Sequence, residues 1–177
     1  NVFIDKPFDM DFLLKQVANL IRTQQELKER YSKKYIAEPS KITISSMDEE
    51  LLKKALNLLD WSLERGWDKQ YGGMLYFVDV DGRPCEQLEW DMKLWWVHNE
   101  VLIATLMAYG LTGDEKYWSW FEKVHEYAFG HFHDAEYGEW YGYLHRDGSV
   151  SHTQKGSLWK GPFHLPRCLM LCEEILT

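Results

Sequence analysis

A histidine stands where the last predicted helix of the chain begins, in the motif WKGPFHLPR of residues 159–167. Pro166 suits the first turn of a helix, because proline lacks the backbone N–H that deeper positions must donate. His164 therefore lies at a helix N-terminus, where the partial positive charge disfavours an imidazolium. A neutral imidazole accepts a proton, so this position suits a general base with Trp159 and Phe163 as apolar walls. A capping or core histidine is the alternative interpretation.

A glutamate occupies the corresponding position of an earlier segment, WDMKLWWVHNEVL at residues 90–102. Trp95 and Trp159 are 64 positions apart, and so are Glu100 and His164. If the two segments pack around one axis, we expect Glu100 and His164 to point into the same cavity. A carboxylate there can hold a sugar hydroxyl or orient the imidazole. The alternative is an exposed helix charge.

The neighbouring aromatic and basic side chains are weaker candidates for the same pocket. Trp96 precedes Glu100 by four residues and shares its helix face, whereas His98 lies on a different side. His164 and Glu100 are the candidate catalytic pair. The candidate substrate-binding residues are Trp95, Trp96, His98, Trp159 and Arg167.

Other groups with possible chemistry are less specific. His164, Cys168 and Cys172 have a spacing that suits a metal site. The two cysteines stand among Leu and Met, which is typical of core packing, so we expect no metal. For His131 and His133, in the loop FGHFHD, the alternatives are metal ligands, substrate contacts and histidines without a functional role. Gly-rich phosphate loops and nucleophile elbows are absent from the sequence.

An internal repeat of about 65 residues positions these candidates. DKQYGG begins at Asp68 and DAEYGE at Asp134, and the same spacing of 66 carries Asp81-Gly82 onto Asp147-Gly148. Each Asp-Gly pair is a good hairpin turn, although Tyr-Gly and Asp-Gly are also common turn pairs by chance. Each copy predicts a turn, a short hairpin and then a helix entered through tryptophan. Such units predict a mainly α fold, part of a toroid of helical hairpins.

Three further helices are predicted outside these segments. Residues 11–31 have amphipathic spacing and are followed by a polar linker that contains Pro39. Residues 47–66 predict a second helix, capped by Ser45 or Ser46. Between the two copies, residues 112–115 (TGDE) match a capping box that begins a helix through about Phe129.

Composition narrows the function classes. The net charge of −8 argues against a phosphate-binding surface, so we expect no nucleic-acid partner. No apolar run is long enough to cross a membrane, and three cysteines predict no disulfide framework. We therefore expect a cytoplasmic protein. Aromatic residues make up 15% of the chain, including nine Trp, which fits a packed core or a carbohydrate site.

Residues 58–177 resemble the C-terminal part of the N-acylglucosamine 2-epimerase family. The resemblance implies part of an (α/α)6 barrel with short β-hairpins, in agreement with the repeat. The segments that carry it are WDKQYGGMLYFVDVDGRPCEQLEWDMKLWWVHNEVLIATLMAY, EYGEWYGYLHRDGSV and KGSLWKGPFHLPRCLMLCEEIL.

What the resemblance implies is interconversion of N-acetylglucosamine and N-acetylmannosamine, by removal and return of the proton at C2 of the opened sugar. The family uses two histidines, one for each face of C2. His164 matches the later one, Glu100 matches the functional glutamate of a W-x-x-H-x-E helix, and Trp159 matches an aromatic beside the substrate. ATP is an effector in the family, although the sequence shows no site for it.

The resemblance covers only the last part of a family member. The other catalytic histidine and the substrate-binding arginine belong to earlier helices and have no counterpart here. We therefore expect the isolated chain to be inactive or nearly so. A sugar-binding module, or an interaction module that forms a homodimer through its apolar helix faces, is the alternative function.

Residues 1–57 resemble a different family, the end of a response-regulator receiver domain and its linker. Lys6-Pro7 matches the phosphate-contacting lysine of that family, and residues 38–56 resemble the linker that follows receivers in hybrid two-component proteins. An ordinary amphipathic helix is the other interpretation. We therefore expect two domains, 1–57 and 58–177, and a two-component signalling remnant is a third functional alternative.

Overall fold

The computed structural model describes residues 46–176 of the chain. The predicted helix at 11–31, the linker and the receiver-like segment lie outside the described residues. The chain divides into two units, Asn1–Met47 and Asp48–Thr177. One helix continues through residues 57 and 58, and the predicted domain boundary at that point stays a prediction.

The described residues form four helices and two very short strands. This confirms the predicted mainly α class with small β pairs. In chain order they are α1 (Ser46–Gly66), β1 (Lys93–Leu94), α2 (Trp95–Thr112), α3 (Glu115–His131), β2 (Tyr143–Leu144) and α4 (His164–Leu176). None of these helices is long and apolar enough to cross a membrane.

Helix α2 lies at the centre of the core. Both α3 and α4 pack against it. Its sequence carries a single charged residue, Glu100, which is typical of a helix that is covered on most sides. Leu102, Ile103 and Leu106 of α2 are at most 4% exposed. The position of Glu100 is therefore fixed by a rigid, buried element.

The internal repeat is visible as two turns with the same hydrogen bonds. Asp68 and Asp134 each accept two backbone N–H bonds through Oδ1, from residues two and three positions later. The backbone N–H of Asp68 donates to Gly73 O at 2.9 Å, and that of Asp134 to Glu139 O at 3.0 Å. Residue 139 has a positive φ of 62°, as Gly73 has at 74°. The spacing of 66 therefore describes a structural repeat.

The two copies are joined through the strands. Strand β1 precedes α2 in the first copy, and β2 belongs to the second. The strands are antiparallel, with Lys93 opposite Leu144 and Leu94 opposite Tyr143. The backbone N–H of Trp95, the first residue of α2, also donates to Gly142 O at 3.1 Å. The start of α2 is thereby fixed to the second copy.

Two details of the predicted turns differ from the structure. Thr112 does not cap α3, because α2 continues to Thr112 and ends at Gly113, whose φ is 67°. Asp114 is the cap instead, and its Oδ1 accepts from Lys116 N at 3.0 Å. Helix α3 also ends two residues later than predicted.

The two Asp-Gly turns also differ from each other. Gly82 N donates to Asp79 O at 3.0 Å, but the residues around this turn form no strand. At Gly148 the turn brings Leu144 and Val150 into an antiparallel bridge. The hairpin prediction is therefore confirmed for the second copy. In the first copy, Tyr76 N and Phe77 N donate to Met92 O and Trp90 O, but no strand forms around the turn.

Candidate active site

The structure brings Glu100 and His164 into direct contact. Helix α4 begins at His164, at the N-terminus where the sequence placed it. Glu100 lies in the second turn of α2. His164 Nδ1 and Glu100 Oε1 are 3.0 Å apart. The His164 side chain is 30% exposed and that of Glu100 is 36% exposed, so solvent and solutes reach both.

Arg167 completes a cluster of three functional groups. It follows His164 by three residues and so lies on the same face of α4. Its Nη1 donates to Glu100 Oε1 at 2.7 Å and to Oε2 at 2.8 Å. Burial raises the pKa of Glu100, but the hydrogen bonds from His164 and Arg167 outweigh it and hold that pKa below its usual value. Glu100 is therefore an ionised carboxylate at neutral pH.

The ionised carboxylate determines the tautomer of His164. A carboxylate only accepts hydrogen bonds, so the nitrogen that faces Glu100 carries the proton. In the neutral ring Nδ1 is then the donor and Nε2 retains its lone pair. The cluster can thus hold an imidazole with one nitrogen anchored and the other available as a base.

Aromatic rings surround this imidazole. The ring centroids of Trp96 and Phe163 lie 5.8 Å and 5.0 Å from that of His164, and the Trp95 centroid lies at 6.2 Å. Trp96 in turn packs edge-on against Tyr76 at 5.8 Å. An apolar surround of this kind restricts the orientation of the ring and limits its hydration.

Two predicted substrate contacts are buried instead. His98 is 0% exposed; its Nδ1–H donates to Leu94 O at 2.8 Å, and its Nε2 accepts from Met74 N at 2.9 Å. Both ring nitrogens are occupied, so His98 is not available to a substrate in this structure. Trp95 is 2% exposed and presents only its ring to His164.

Trp159 lies on the surface, with 77% of the side chain exposed. Within residues 46–176 its ring has no stacking contact with the cluster, whereas Phe163 does. Its predicted place beside a substrate stays a prediction.

The two loop histidines lie outside the cluster of His164, Glu100 and Arg167. The ring of His131 stacks on that of Tyr127 at a centroid distance of 4.1 Å. His133 is exposed and forms a short β-bridge with Trp140.

Sequence reasoning missed a buried charge cluster that lies next to the start of α2. Asp68 Oδ2 accepts from Lys93 Nζ at 2.9 Å and from Arg146 Nε at 2.8 Å. Lys93 is 0% exposed. Burial raises the pKa of Asp68, but the bonds from Arg146 and Lys93 hold it well below its usual range. The aspartate was visible as a repeated position, but no sequence signal identified its partners.

A metal centre has no support in the part of the chain that the structure describes. No three His, Cys, Asp or Glu side chains there are grouped as metal ligands. Cys168 and Cys172 have sulfur atoms 3.9 Å apart, and Cys168 is buried among core residues.

Comparison with known proteins shows to which family the chain belongs. Residues 40–165 match the family model of N-acylglucosamine 2-epimerase (GlcNAc 2-epimerase). The chain belongs to this family. It is 57% identical to N-acylglucosamine 2-epimerase of Bos taurus over 112 residues, which are 63% of this chain and 26% of that protein. The chain thus spans about a quarter of the length of the curated epimerases that it matches.

Solved structures show the same fold. The crystal structure of a D-mannose isomerase superposes with a TM-score of 0.62 at 27% identity, over 74% of this chain and 32% of that one. The predicted barrel architecture is therefore confirmed for the matched region.

A separate sequence similarity is to Histidine kinase P4 of Formosa agariphila. The two proteins are 38% identical over 58 residues, which are 33% of this chain and 4% of that protein. The receiver-like nature of residues 1–57 stays a prediction.

Proposed function

We propose that the chain carries one half of a sugar 2-epimerase active site, in which His164 is the general acid/base for the C2 proton of an N-acetylhexosamine. The single observation that carries this proposal is the hydrogen bond from His164 Nδ1 to Glu100, which leaves Nε2 free as a base. Family membership supports the reaction class. The substrate is N-acetylglucosamine or N-acetylmannosamine in its open-chain form.

The chemistry follows from the aldehyde at C1. His164 Nε2 accepts the C2 proton, the C2–H electron pair forms a C1–C2 double bond, and the carbonyl pair moves onto O1. The resulting imidazolium is stabilised by the Glu100 carboxylate at Nδ1. Return of the proton to the same face restores the starting sugar. Inversion at C2 needs a second acid/base group on the opposite face, which the relatives have room to supply in the remaining three quarters of their length.

Glu100 and Arg167 have positioning roles in this proposal. Glu100 fixes the tautomer and the ring plane of His164, as an orienting carboxylate does in many acid/base sites. Arg167 holds Glu100 ionised and in place through its paired contacts at 2.7 and 2.8 Å. Without Arg167, the carboxylate keeps a single strong donor and loses its fixed orientation.

A second reaction, aldose–ketose isomerisation, is favoured by one specific observation. Among the described residues, a single histidine is paired with Glu100, and one base is enough to move a proton from C2 to C1 on the same face of an enediol. The D-mannose isomerase that superposes on this chain is named for a reaction of this type. We rank it second because the identity to that protein is 27%, against 57% to the epimerase.

The two reactions are separated by incubation of the purified chain in D2O with N-acetylmannosamine and, separately, with D-mannose. The proposal predicts deuterium at C2 of N-acetylmannosamine, with little or no N-acetylglucosamine formed, and loss of exchange in His164→Gln. Formation of a ketose from D-mannose, with deuterium at C1, would favour the isomerase. His125→Gln, which changes a histidine on the outer face of α3, serves as the control. Exchange that is equal in His164→Gln and the wild type contradicts both.

A further inference from the structure

Two thiols lie next to each other on the face of α4 that packs toward the core. Cys168 and Cys172 are one helical turn apart, and their sulfur atoms are 3.9 Å apart. Cys168 is 1% exposed and belongs to the core, whereas Cys172 is half-buried and packs against the core. The proposed acid/base chemistry uses neither thiol. At this distance the two sulfur atoms are candidates for oxidation as a pair.

Cys172 is the thiol that a small oxidant reaches first. Both side chains line a groove of about 340 Å³ between α3 and α4, and Cys172 is the more exposed of the two. The hydrogen bond with Cys168 lowers the pKa of Cys172, more than burial raises it. The thiolate is the nucleophile in thiol oxidation, so both access and charge favour attack by Cys172.

A disulfide between these two residues does not fit a regular α-helix. Side chains four residues apart have Cβ atoms about 5–6 Å apart, whereas a disulfide needs a Cβ separation of about 3.8 Å. Closing the bond therefore draws the Cβ atoms together by about 1–2 Å and distorts α4 between residues 168 and 172. A strained disulfide is easier to reduce, which is typical of a reversible bond rather than a structural one.

The distorted turn adjoins the candidate active site. Arg167 directly precedes Cys168, and His164 lies one turn earlier, at the first residue of α4. Both side chains contact Glu100 of α2, Arg167 at 2.7 Å and His164 at 3.0 Å. A shift of about 1–2 Å in this part of α4 breaks such contacts, because hydrogen bonds of this type extend only to about 3.2 Å.

We propose that Cys168 and Cys172 are a modification site for hydroperoxides, at which a reversible disulfide separates His164 and Arg167 from Glu100. The Cys172 thiolate attacks hydrogen peroxide, so that an S–O bond forms, the O–O bond breaks and hydroxide leaves. The Cys168 thiol then attacks the sulfenic sulfur. The S–S bond forms, the S–O bond breaks, and water leaves with the Cys168 proton. The two thiols are thereby oxidised, and hydrogen peroxide is reduced to water.

The test for the bond uses the full chain with Cys85→Ser, because this variant leaves Cys168 and Cys172 as the only cysteines of the sequence. Equimolar hydrogen peroxide should lower the intact mass by two hydrogens, without a dimer on a non-reducing gel, and dithiothreitol should restore the mass. Peptide mapping of the oxidised wild type should find the same Cys168–Cys172 bond. Oxygen addition at Cys172 without a disulfide, or a disulfide only between chains, overturns the proposal.

The effect on the site is measured by NMR titration of the Glu100 carboxyl carbon. The hydrogen bonds from His164 and Arg167 lower the pKa of Glu100, so their loss on oxidation should raise it, and reduction should restore it. The matched control adds Cys172→Ser, which cannot form the disulfide and should titrate alike before and after peroxide. A disulfide that leaves the Glu100 titration unchanged also overturns the proposal. These readouts need no turnover, so their failure leaves the proposed 2-epimerase chemistry unaffected.

Discussion

The Nδ1 atom of His164 lies 3.0 Å from Oε1 of Glu100, although 64 positions of sequence separate the two residues. The contact joins two helices of the repeat, with Glu100 in the second turn of α2 in the first copy and His164 at the start of α4 in the second. The second copy thus carries a histidine that contacts a carboxylate of the first. Such a pair forms only when the two copies are held in register, which the β1–β2 pairing provides.

Removal of the Arg167 guanidinium should raise the pKa of Glu100. Burial raises that pKa, whereas the hydrogen bonds from His164 and Arg167 lower it. Arg167→Gln removes one of the two hydrogen bonds that lower the pKa. The measurement is a titration of the Glu100 carboxyl carbon by NMR. Arg83→Gln, at an exposed arginine paired with Asp81, is the control and should leave the Glu100 titration unchanged. An unchanged Glu100 pKa in Arg167→Gln contradicts the assigned role.

Stability should fall between pH 6.5 and pH 4 because of His98. Burial lowers the pKa of His98 from 6.5 to about 4, more than the bond to Leu94 raises it. Above pH 6.5 the ring is neutral in both the folded and unfolded states, so the full stability is present. As the pH falls, the unfolded state gains the proton first. The free energy of unfolding should fall by about 3 kcal/mol by pH 4 from this group alone.

The matching experiment compares urea unfolding at pH 7 and pH 5 for three proteins. His98→Gln should be less stable than the wild type at pH 7, because the bonds to Met74 N and Leu94 O are altered, but its stability should change less between the two pH values. His125→Gln should keep the wild-type slope. If His98→Gln keeps the full pH dependence, another group is responsible.

Gly73 should be far less tolerant of alanine than Gly82. Both have a φ of +74°, so both substitutions incur the left-handed backbone strain of about 1 kcal/mol. At Gly73 an added Cβ would also lie 2.5 Å from the ring of Tyr127. That ring is stacked between His98 and His131. At Gly82 no atom lies within 4 Å of an added Cβ. We expect Gly73→Ala to lower the free energy of unfolding by about 3 kcal/mol. Equal effects in denaturant titrations would show that Tyr127 moves freely.

Asp68 should contribute more to stability than its repeat counterpart Asp134. Asp68→Asn leaves Lys93 buried without a carboxylate, which costs about 3–5 kcal/mol in comparable buried pairs. Asp134 pairs with Lys155, whose side chain is 23% exposed, so Asp134→Asn should cost less. The check is the free energy of unfolding of both variants at pH 7. A larger effect at Asp134 would contradict the burial argument.

The candidate site could be predicted from sequence where the repeat and helix signals coincide. The proline of FHLPR predicts that α4 begins at His164, and the spacing of 64 predicts that Glu100 faces it. Both depend on local chemistry and on symmetry. The prediction of a cap at Thr112 is wrong, because threonine fits a cap as well as aspartate does in sequence. The structure shows that α2 continues to Thr112 and ends at the left-handed Gly113, and that Asp114 caps α3.

The residues that could not be predicted depend on tertiary contacts. The partners of Asp68 come from positions 25 and 78 residues away, and neither follows the repeat spacing. His98 shares its helix with Glu100, but its burial is decided by Tyr127 and Phe132, which pack on its ring. A helical periodicity cannot tell a buried histidine from one that lines a pocket.

The most direct test of the proposed acid/base pair is the rate of deuterium incorporation at C2 of N-acetylmannosamine, measured by NMR in D2O for the wild type, His164→Gln and Glu100→Gln. We expect measurable exchange in the wild type. We expect a loss of at least about 100-fold in each variant, as is usual for removal of a general base or of the group that orients it. Glu126→Gln, on the surface of α3, should exchange at the wild-type rate. A wild-type rate equal to that of buffer, or exchange that survives His164→Gln, would contradict the proposed acid/base pair.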